Sequence, residues 1–226
     1  FLQTIAPYNI PHLNRWLIVT HPKDDKTREV CRRFSLECLL TEEGGDGTNG
    51  EFAKGRLIER GLQHLSADGW RLHLDSDILL PNRFTHLLES ADLKEETVYG
   101  VDRVMVRSYG EWQSLLASGY LNAPHDYHCR INVPEGFTIG TRWGTLHTGW
   151  TPIGFFQLWN SKTDEWRGVR TKPYPQSHNT ACRTDVQHTL QWDRKKRELI
   201  PEFFVIHLES EDCPKGTNWC GRKSKR

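Results

Sequence analysis

Several features of a membrane, secreted or zinc-ribbon protein are absent from this sequence. The 226 residues contain no apolar run of about 18 residues, so no transmembrane helix is predicted. No signal peptide is visible, and none of the six cysteines forms a C-x-x-C pair, which argues against a zinc ribbon or a thioredoxin-type motif. Scattered cysteines suit a reducing compartment, and we expect a cytoplasmic protein.

A strong excess of charge of either sign is also absent. Lysine and arginine number 30 and aspartate and glutamate 29, which gives a net charge of +1. The broad basic surface typical of nucleic-acid-binding proteins is therefore not predicted, although the C-terminal "GRKSKR" is a short basic tail. The chain begins at Phe1 rather than at methionine, and we expect that a preceding segment is missing from the sequence.

The chain is long enough to bury a core of its own, and no linker or repeat divides it. We therefore predict one α/β domain over residues 1–226. Its first half, residues 1–96, is expected to bind a nucleotide. Its second half, residues 97–226, is expected to hold the acceptor and the catalytic groups.

The first half alternates strand and helix patterns. Strands are predicted at 15–21, at 36–42 and from Trp70 onward, with helices at 24–34 and 52–66. Asp24 or Asp25 is the expected N-cap of the first of these helices. The second places five residues on one face: Leu57, Ile58, Gly61, Leu62 and Leu65. Strands joined by helices predict parallel pairing, as in a Rossmann-like sheet that is mixed but mostly parallel and flanked by helices.

The second half is less regular. Its patterns predict one strand within 97–112, an aromatic-rich strand at 149–161, a helix at 184–199 and a final strand at 202–210. The stretch 120–150 is expected to be irregular, because it is rich in His, Pro, Gly and Asn.

Two aspartates, Asp75 and Asp77, follow an apolar run in "WRLHLDSDILLP". On an extended segment, residues two apart point to the same face, where two carboxylates repel each other. A divalent cation would relieve the repulsion and would also neutralise a bound diphosphate. The structural alternative is that one aspartate caps a turn and the other pairs with a lysine or an arginine.

The DxD segment and the preceding "FAKGRLIERGLQHLSADG" resemble GT-A-fold glycosyltransferases, particularly the family 2-like group. "RWLIVTHPKDDKTREVC" resembles the second strand and helix of that fold, and "VYGVDRV", "IGFFQLWNS", "RTDVQH" and "VIHL" follow in the expected order. The resemblance covers about residues 14 to 223. One departure is that those enzymes usually open with a β-strand, whereas this chain opens in the following helix, "FLQTIAPYN".

The resemblance implies a metal site for Mn²⁺ or Mg²⁺ that holds the diphosphate of a nucleotide-sugar. Asp77 would be a direct ligand, and Asp75 would contact the ribose or the metal. His207 would complete the site, and an imidazole ligand favours Mn²⁺. The structural alternative for His207 is a histidine of the core.

The resemblance also implies roles for residues elsewhere in the chain. Asp185 would be the general base of an inverting transfer, or would position substrate in a retaining one; its structural alternative is a helix N-terminal aspartate. Lys54, Arg222 and Lys223 would add positive charge near the diphosphate, and the C-terminal "GTNWCGRK" would close over it or remain a frayed terminus.

Contacts to the nucleotide base and to the sugar are implied as well. Asp24 or Asp25 would contact the base. Four aromatic residues would stack on the sugar or the base, or belong to the core: Trp150, Phe155, Phe156 and Trp159.

The function implied is the metal-dependent transfer of a hexose from a nucleotide-sugar, in the first instance a UDP-sugar, to a hydroxyl acceptor. The acceptor stays open: a glycan, a protein, a small molecule or a hydroxymethylated DNA base. The alternatives are a nucleotidyltransferase and a non-catalytic carbohydrate-binding module. A nucleotidyltransferase should carry a basic Gly-rich segment, and "EGGDGTNGE" is acidic. A non-catalytic carbohydrate-binding module would need neither a metal nor a base.

Overall fold

A computed structural model describes residues 1–45, 52–65, 68–122, 133–167, 169–178 and 183–208. The helices in these ranges are α1 (Leu2–Asn9), α2 (Asp25–Arg33), α3 (Lys54–Leu65), α4 (Phe84–Ser90), α5 (Tyr109–Ala117) and α6 (Thr184–Thr189). The strands are β1 (Leu17–Thr20), β2 (Glu37–Leu40), β3 (Trp70–Leu74), β4 (Ile78–Leu79), β5 (Val98–Val106), β6 (Thr138–Ile139), β7 (Gly144–Thr145), β8 (Gly149–Trp150), β9 (Phe156–Asn160), β10 (Glu165–Trp166), β11 (Val169–Arg170) and β12 (Arg197–Leu208).

The main sheet has six strands in the order β3-β9-β5-β12-β4, with β6 paired to β5. Among the described strands of this sheet, β5 and β12 alone pair in parallel, and the other pairs are antiparallel. The prediction of a mostly parallel sheet is therefore wrong, although the α/β class is confirmed. The reason is spatial order: β9 comes from the second half of the chain and lies between β3 and β5, antiparallel to both.

Strands β1 and β2 form a separate two-stranded parallel sheet with α2 as the connection. The predicted strand–helix–strand unit is confirmed here. Asp24 is the N-cap, because its Oδ1 accepts a hydrogen bond from the Thr27 N–H at 3.1 Å. The Thr20 hydroxyl donates to the other carboxylate oxygen at 2.9 Å, which ties the helix start to the end of β1.

The second half differs from its prediction in three places. Helix α6 ends at Thr189 instead of extending to 199, and β12 begins at Arg197. The predicted strand at 149–161 is divided into β8 and β9 by a turn in which the Phe156 N–H donates to the Ile153 carbonyl. Helix α5 was not predicted from its sequence.

The core packs around the central strands of the main sheet. Fully buried side chains from β5, β9 and β12 form most of it, including Val104, Phe156, Trp159 and Val205. Helix α1 packs against β4, and its residue Ile5 covers one side of this core. Across the described residues, no helix combines the length and the apolar character that crossing a membrane would require.

Candidate functional site

A cleft of about 1,780 Å³ lies where the two sheets meet. Strands β1 and β3 and helix α3 line it, and all five residues predicted on one face of that helix are among the lining residues. The charged and polar groups that concern the site are also in its lining: Lys54, His73, Asp75, Asp77, Arg103, Asp185 and His207. The fold therefore brings the two halves of the chain together at one place.

A turn at residues 75–78 separates the two aspartates. Strand β3 ends at Leu74, and the Ile78 N–H donates to the Asp75 carbonyl at 3.1 Å, so β4 begins after the pair. The expectation that both carboxylates share one face of an extended segment is therefore wrong. The turn sends the two side chains to different partners.

The Asp75 carboxylate is held by cationic and polar neighbours. Its Oδ1 lies 2.5 Å from Lys54 Nζ and 3.4 Å from His73 Nε2. Burial by itself raises the pKa of Asp75, but Lys54 and His73 outweigh it and hold the pKa well below its ordinary value. The structural alternative, in which one of the two aspartates pairs with a lysine, therefore describes Asp75.

The Lys54 ammonium lies near three of the carboxylates that line the cleft. Burial lowers its pKa, but Asp75, Asp185 and Asp77 outweigh this and raise the pKa of Lys54 above its ordinary value. One buried cation thus stands among three acidic groups.

The Asp77 carboxylate faces β12. The Leu208 N–H donates to the Asp77 carbonyl at 2.9 Å, and His207 Nε2 lies 3.5 Å from Asp77 Oδ2. Among the described residues, neither the buried Asp77 Oδ1 nor the buried His207 Nδ1 has a hydrogen-bond partner. Most buried polar atoms in proteins have a hydrogen-bond partner, and a water, an ion or a ligand at this place would satisfy these two.

The Asp185 carboxylate is fixed by backbone groups at the start of α6. Its Oδ2 accepts from the Gly154 N–H at 2.5 Å, and its Oδ1 accepts from the Val186 N–H at 2.9 Å. A Cβ atom on Gly154 would lie 2.7 Å from Asp185 Oδ2, so only glycine fits there without displacement. Arg183 precedes the helix with a left-handed φ of 71°, an uncommon conformation for arginine.

The other predicted site residues lie apart from this group. Asp24 caps α2, Asp25 pairs with Arg28 at 2.9 Å, and neither is in the cleft lining; their contact to a nucleotide base stays a prediction. Arg222 and Lys223, with the rest of "GTNWCGRK", lie outside the described residues.

The four predicted aromatic residues divide between the cleft and the core. Phe155 lines the cleft, and the Arg103 guanidinium lies over its ring, 4.4 Å from the centroid. Phe156 and Trp159 are fully buried and belong to the core. Trp150 is half-buried and does not line the cleft.

Sequence reasoning missed His73, Tyr174, Gln157 and Gly154. His73 was within reach, because it precedes Asp75 by two residues and a strand places such residues on the same face. Gly154 and Gln157 lie in "IGFFQLWNS", which the resemblance includes without a role for either residue, and Tyr174 comes from a distant segment whose local pattern does not indicate the site.

Among the described residues, no three His, Cys, Asp or Glu side chains form a group that could by itself hold a metal ion. The protein offers Asp77 and His207 as two adjacent ligands, while Asp75 is paired with Lys54. Comparison of the chain with protein-family models, with curated proteins and with solved structures found no match.

Proposed function

We propose that this protein is a metal-dependent glycosyltransferase that moves a hexose from a nucleotide-sugar, in the first instance a UDP-sugar, to a hydroxyl acceptor. The observation that carries the proposal is the convergence of Asp75, Asp77, Asp185, Lys54 and His207 on one large cleft. Three carboxylate environments occur together here: Asp75 paired with Lys54, Asp77 beside His207, and Asp185 held by backbone N–H groups. A hydrolase or a simple binding protein does not require all three. The cytoplasmic location stays a prediction.

The residues present fit a divalent cation. Asp77 Oδ2 and His207 Nε2 are 3.5 Å apart, and each residue also has a buried polar atom without a partner among the described residues. Divalent ions in phosphate-transfer sites commonly take one or two protein ligands and complete their shell with water and substrate phosphates. The histidine favours Mn²⁺ over Mg²⁺. When bound, the ion would supply Lewis-acid stabilisation of the departing nucleoside diphosphate.

The chain's own residues have distinct tasks in the proposed reaction. Asp185 takes the proton from the acceptor hydroxyl, whose oxygen then forms the new bond to the sugar anomeric carbon while the bond to the diphosphate oxygen breaks. Its two backbone hydrogen bonds leave lone pairs available on the carboxylate. In a retaining transfer, Asp185 would position the acceptor instead.

Lys54 and Asp75 act on the donor. Lys54 adds positive charge beside the leaving diphosphate, and its pairing with Asp75 fixes where that charge lies. Asp75 accepts a hydrogen bond from a ribose hydroxyl. Arg222 and Lys223 would add charge on the same side, as the resemblance implies.

A donor screen with Mn²⁺ tests the proposal. Release of free nucleoside diphosphate from one nucleotide-sugar, lost on chelation, supports a transferase, whereas release of pyrophosphate identifies a nucleotidyltransferase. Binding without turnover identifies a carbohydrate-binding module. The acceptor panel contains a glycan, small-molecule alcohols and hydroxymethylated DNA.

Two variants and a control test whether turnover in the screen depends on Asp77 and Asp185. Asp77→Asn should reduce turnover by at least ~100-fold, and Asp185→Asn by about 10²–10⁴-fold. Asp193→Asn, an exposed aspartate outside the cleft lining, should keep turnover within about twofold. Equal activity in all three variants would refute the proposed roles.

A further inference from the structure

A buried polar chain connects the Asp75 carboxylate with the helix that carries Asp185. It begins at His73, whose Nε2 faces Asp75 and whose Nδ1 lies 3.1 Å from Tyr174 Oη and 3.4 Å from Gln157 Oε1. The Tyr174 hydroxyl donates to Gln157 Oε1. Because a carboxylate only accepts, Nε2 carries the proton that points to Asp75, and the contacts at both ring nitrogens fix the orientation of the ring.

The chain ends on α6 and on the turn before β9. Gln157 is fully buried, and its Nε2 donates to the Asp185 carbonyl at 2.9 Å and to the Pro152 carbonyl at 3.0 Å. Thr189 Oγ1 lies 2.5 Å from the same nitrogen, so the two N–H groups of the amide are shared among three acceptors. One side chain thus ties both ends of α6 to β9.

Tyr174, the middle member, is held on several sides. Its ring stacks on His188 with centroids 3.7 Å apart and planes 13° apart, and it packs against Trp159. Its backbone N–H donates to Glu59 Oε2 at 2.9 Å. Because the ring is fixed by packing, the hydroxyl can be removed without releasing the ring.

We propose that His73, Tyr174 and Gln157 are positioning residues, which hold the Asp75 carboxylate at a fixed distance and orientation relative to Asp185. The three do not need to contact substrate. They fix the separation between the donor side and the acceptor side of the cleft, where a displacement of about 1 Å costs up to ~100-fold in rate. The expected loss of rate rests on the proposed function. The expected position of the Asp75 carboxylate does not.

The test is Tyr174→Phe, with Tyr99→Phe as the matched control. Tyr99 is likewise buried, and its hydroxyl accepts a hydrogen bond from the Lys94 N–H at 2.7 Å, but it does not line the cleft. Both variants remove the hydroxyl of a buried tyrosine together with its hydrogen bonds, so a purely structural role predicts similar effects. We expect turnover per folded molecule to fall at least ~10-fold in Tyr174→Phe and less than about twofold in Tyr99→Phe.

Two readouts do not depend on activity. In ¹⁵N spectra of histidine-labelled protein, the His73 ring signals should move in Tyr174→Phe and stay in place in Tyr99→Phe. Crystal structures of the wild type and Tyr174→Phe should show the Asp75 carboxylate displaced by more than about 0.5 Å.

The outcomes separate the two proposals. Unchanged ring signals and an unmoved Asp75 overturn the positioning chain, whatever the activity. A wild type that turns over no donor, combined with shifted ring signals and a displaced Asp75, overturns the proposed function and leaves the positioning chain intact.

Discussion

At the scale of single residues, Asp75 and Asp77 differ in what surrounds them. Asp75 Oδ1 lies within 3.4 Å of Lys54 Nζ and His73 Nε2, whereas Asp77 Oδ2 lies 3.5 Å from His207 Nε2. The turn between β3 and β4 thus relieves the repulsion that an extended D-x-D segment would create. It also gives the two carboxylates separate tasks in the proposed site.

Gly154→Ala should impair transfer without unfolding the protein. The added Cβ would lie 2.7 Å from Asp185 Oδ2 and would displace the carboxylate from its backbone hydrogen bond. We expect at least a ~10-fold loss of turnover, measured as nucleoside diphosphate release. Gly110→Ala in α5 is the control, since its Cβ would meet only Ser108 Oγ at 3.8 Å. Equal turnover of the two alanine variants would contradict this role of Gly154.

His188→Phe should flatten the acid dependence of stability. Burial, with help from Arg170, holds the pKa of His188 well below 6.5, so below that pH the unfolded chain binds a proton that the folded protein does not. The wild type therefore loses stability as the pH falls, by up to ~1.4 kcal/mol per pH unit from this group. Phenylalanine keeps the stack on Tyr174 and removes that dependence.

Urea unfolding of the wild type and His188→Phe at a series of pH values between about 6.5 and 5 measures the effect. The free energy of unfolding of the variant should fall less steeply across this interval. Parallel curves would show that the imidazole is protonated in the fold as readily as in the unfolded chain.

At the scale of elements, helix α3 connects the site to the rest of the protein. Its first residue, Lys54, pairs with Asp75, and Glu59 one and a half turns later accepts from the Tyr174 N–H. Gly55 lets the start of the helix approach the Pro175 carbonyl and Thr184, where a Cβ would lie 2.1 Å from the carbonyl oxygen. The helix thus places the lysine beside the segment that leads into α6.

Gly55→Ala and Gly61→Ala form a matched pair within this helix. Both gain up to ~1 kcal/mol in helix propensity, but at Gly61 the new Cβ meets side-chain methyl groups, of Val19 at 2.9 Å and of Leu17 at 3.7 Å. At Gly55 it meets backbone, so overpacking should cost about 1–3 kcal/mol. Denaturant unfolding should therefore rank Gly55→Ala as the less stable variant. The reverse order would contradict the close approach at Gly55.

The elements of the first half could be predicted because their patterns are local. Neighbours in sequence determine three of these features: the cap at Asp24, the apolar face of α3 and the strand that begins at Trp70. The position of β9 between β3 and β5 depends on partners about 85 residues apart in sequence, and no periodicity records that distance. For the same reason the sequence predicted parallel pairing for β3, which the structure contradicts.

At the scale of the whole molecule, a buried ionic cluster joins the two halves behind the cleft. Asp164 is fully buried and pairs with Arg71 of β3 at 3.0 Å and with Arg170 of β11. Arg170 also pairs with Glu59 of α3 at 2.7 Å, and the Trp159 indole donates to Asp164 at 2.7 Å. The cluster connects one helix and strands from both halves, so it specifies how they fit together.

Asp164→Asn should destabilise the protein by about 3–5 kcal/mol, because it leaves two buried guanidinium groups with too little negative charge. Glu95→Gln is the control: its pair with Lys162 is exposed, and its loss should cost less than ~1 kcal/mol. Both are measured by denaturant unfolding. A loss below ~1 kcal/mol in Asp164→Asn would show that the cluster does not hold the halves together.

Sequence reasoning predicted the members of the site better than their arrangement. Asp75, Asp77, Asp185, Lys54 and His207 were all expected, and the fold places them on one cleft. Sequence reasoning offered a lysine partner for one of the two aspartates, but it did not identify Lys54 as that lysine or Asp75 as that aspartate. These choices depend on the turn at 75–78 and on the antiparallel pairing of β4 with β12, which brings His207 beside Asp77.

The most direct measurement is anomalous diffraction from crystals of the protein soaked with Mn²⁺ and UDP. We predict a manganese peak about 2.2 Å from an Asp77 carboxylate oxygen and from a His207 nitrogen, with the diphosphate completing the shell. No peak at Asp77, with diphosphate absent from the cleft and Asp77 and His207 still in direct contact, would contradict the proposed metal site.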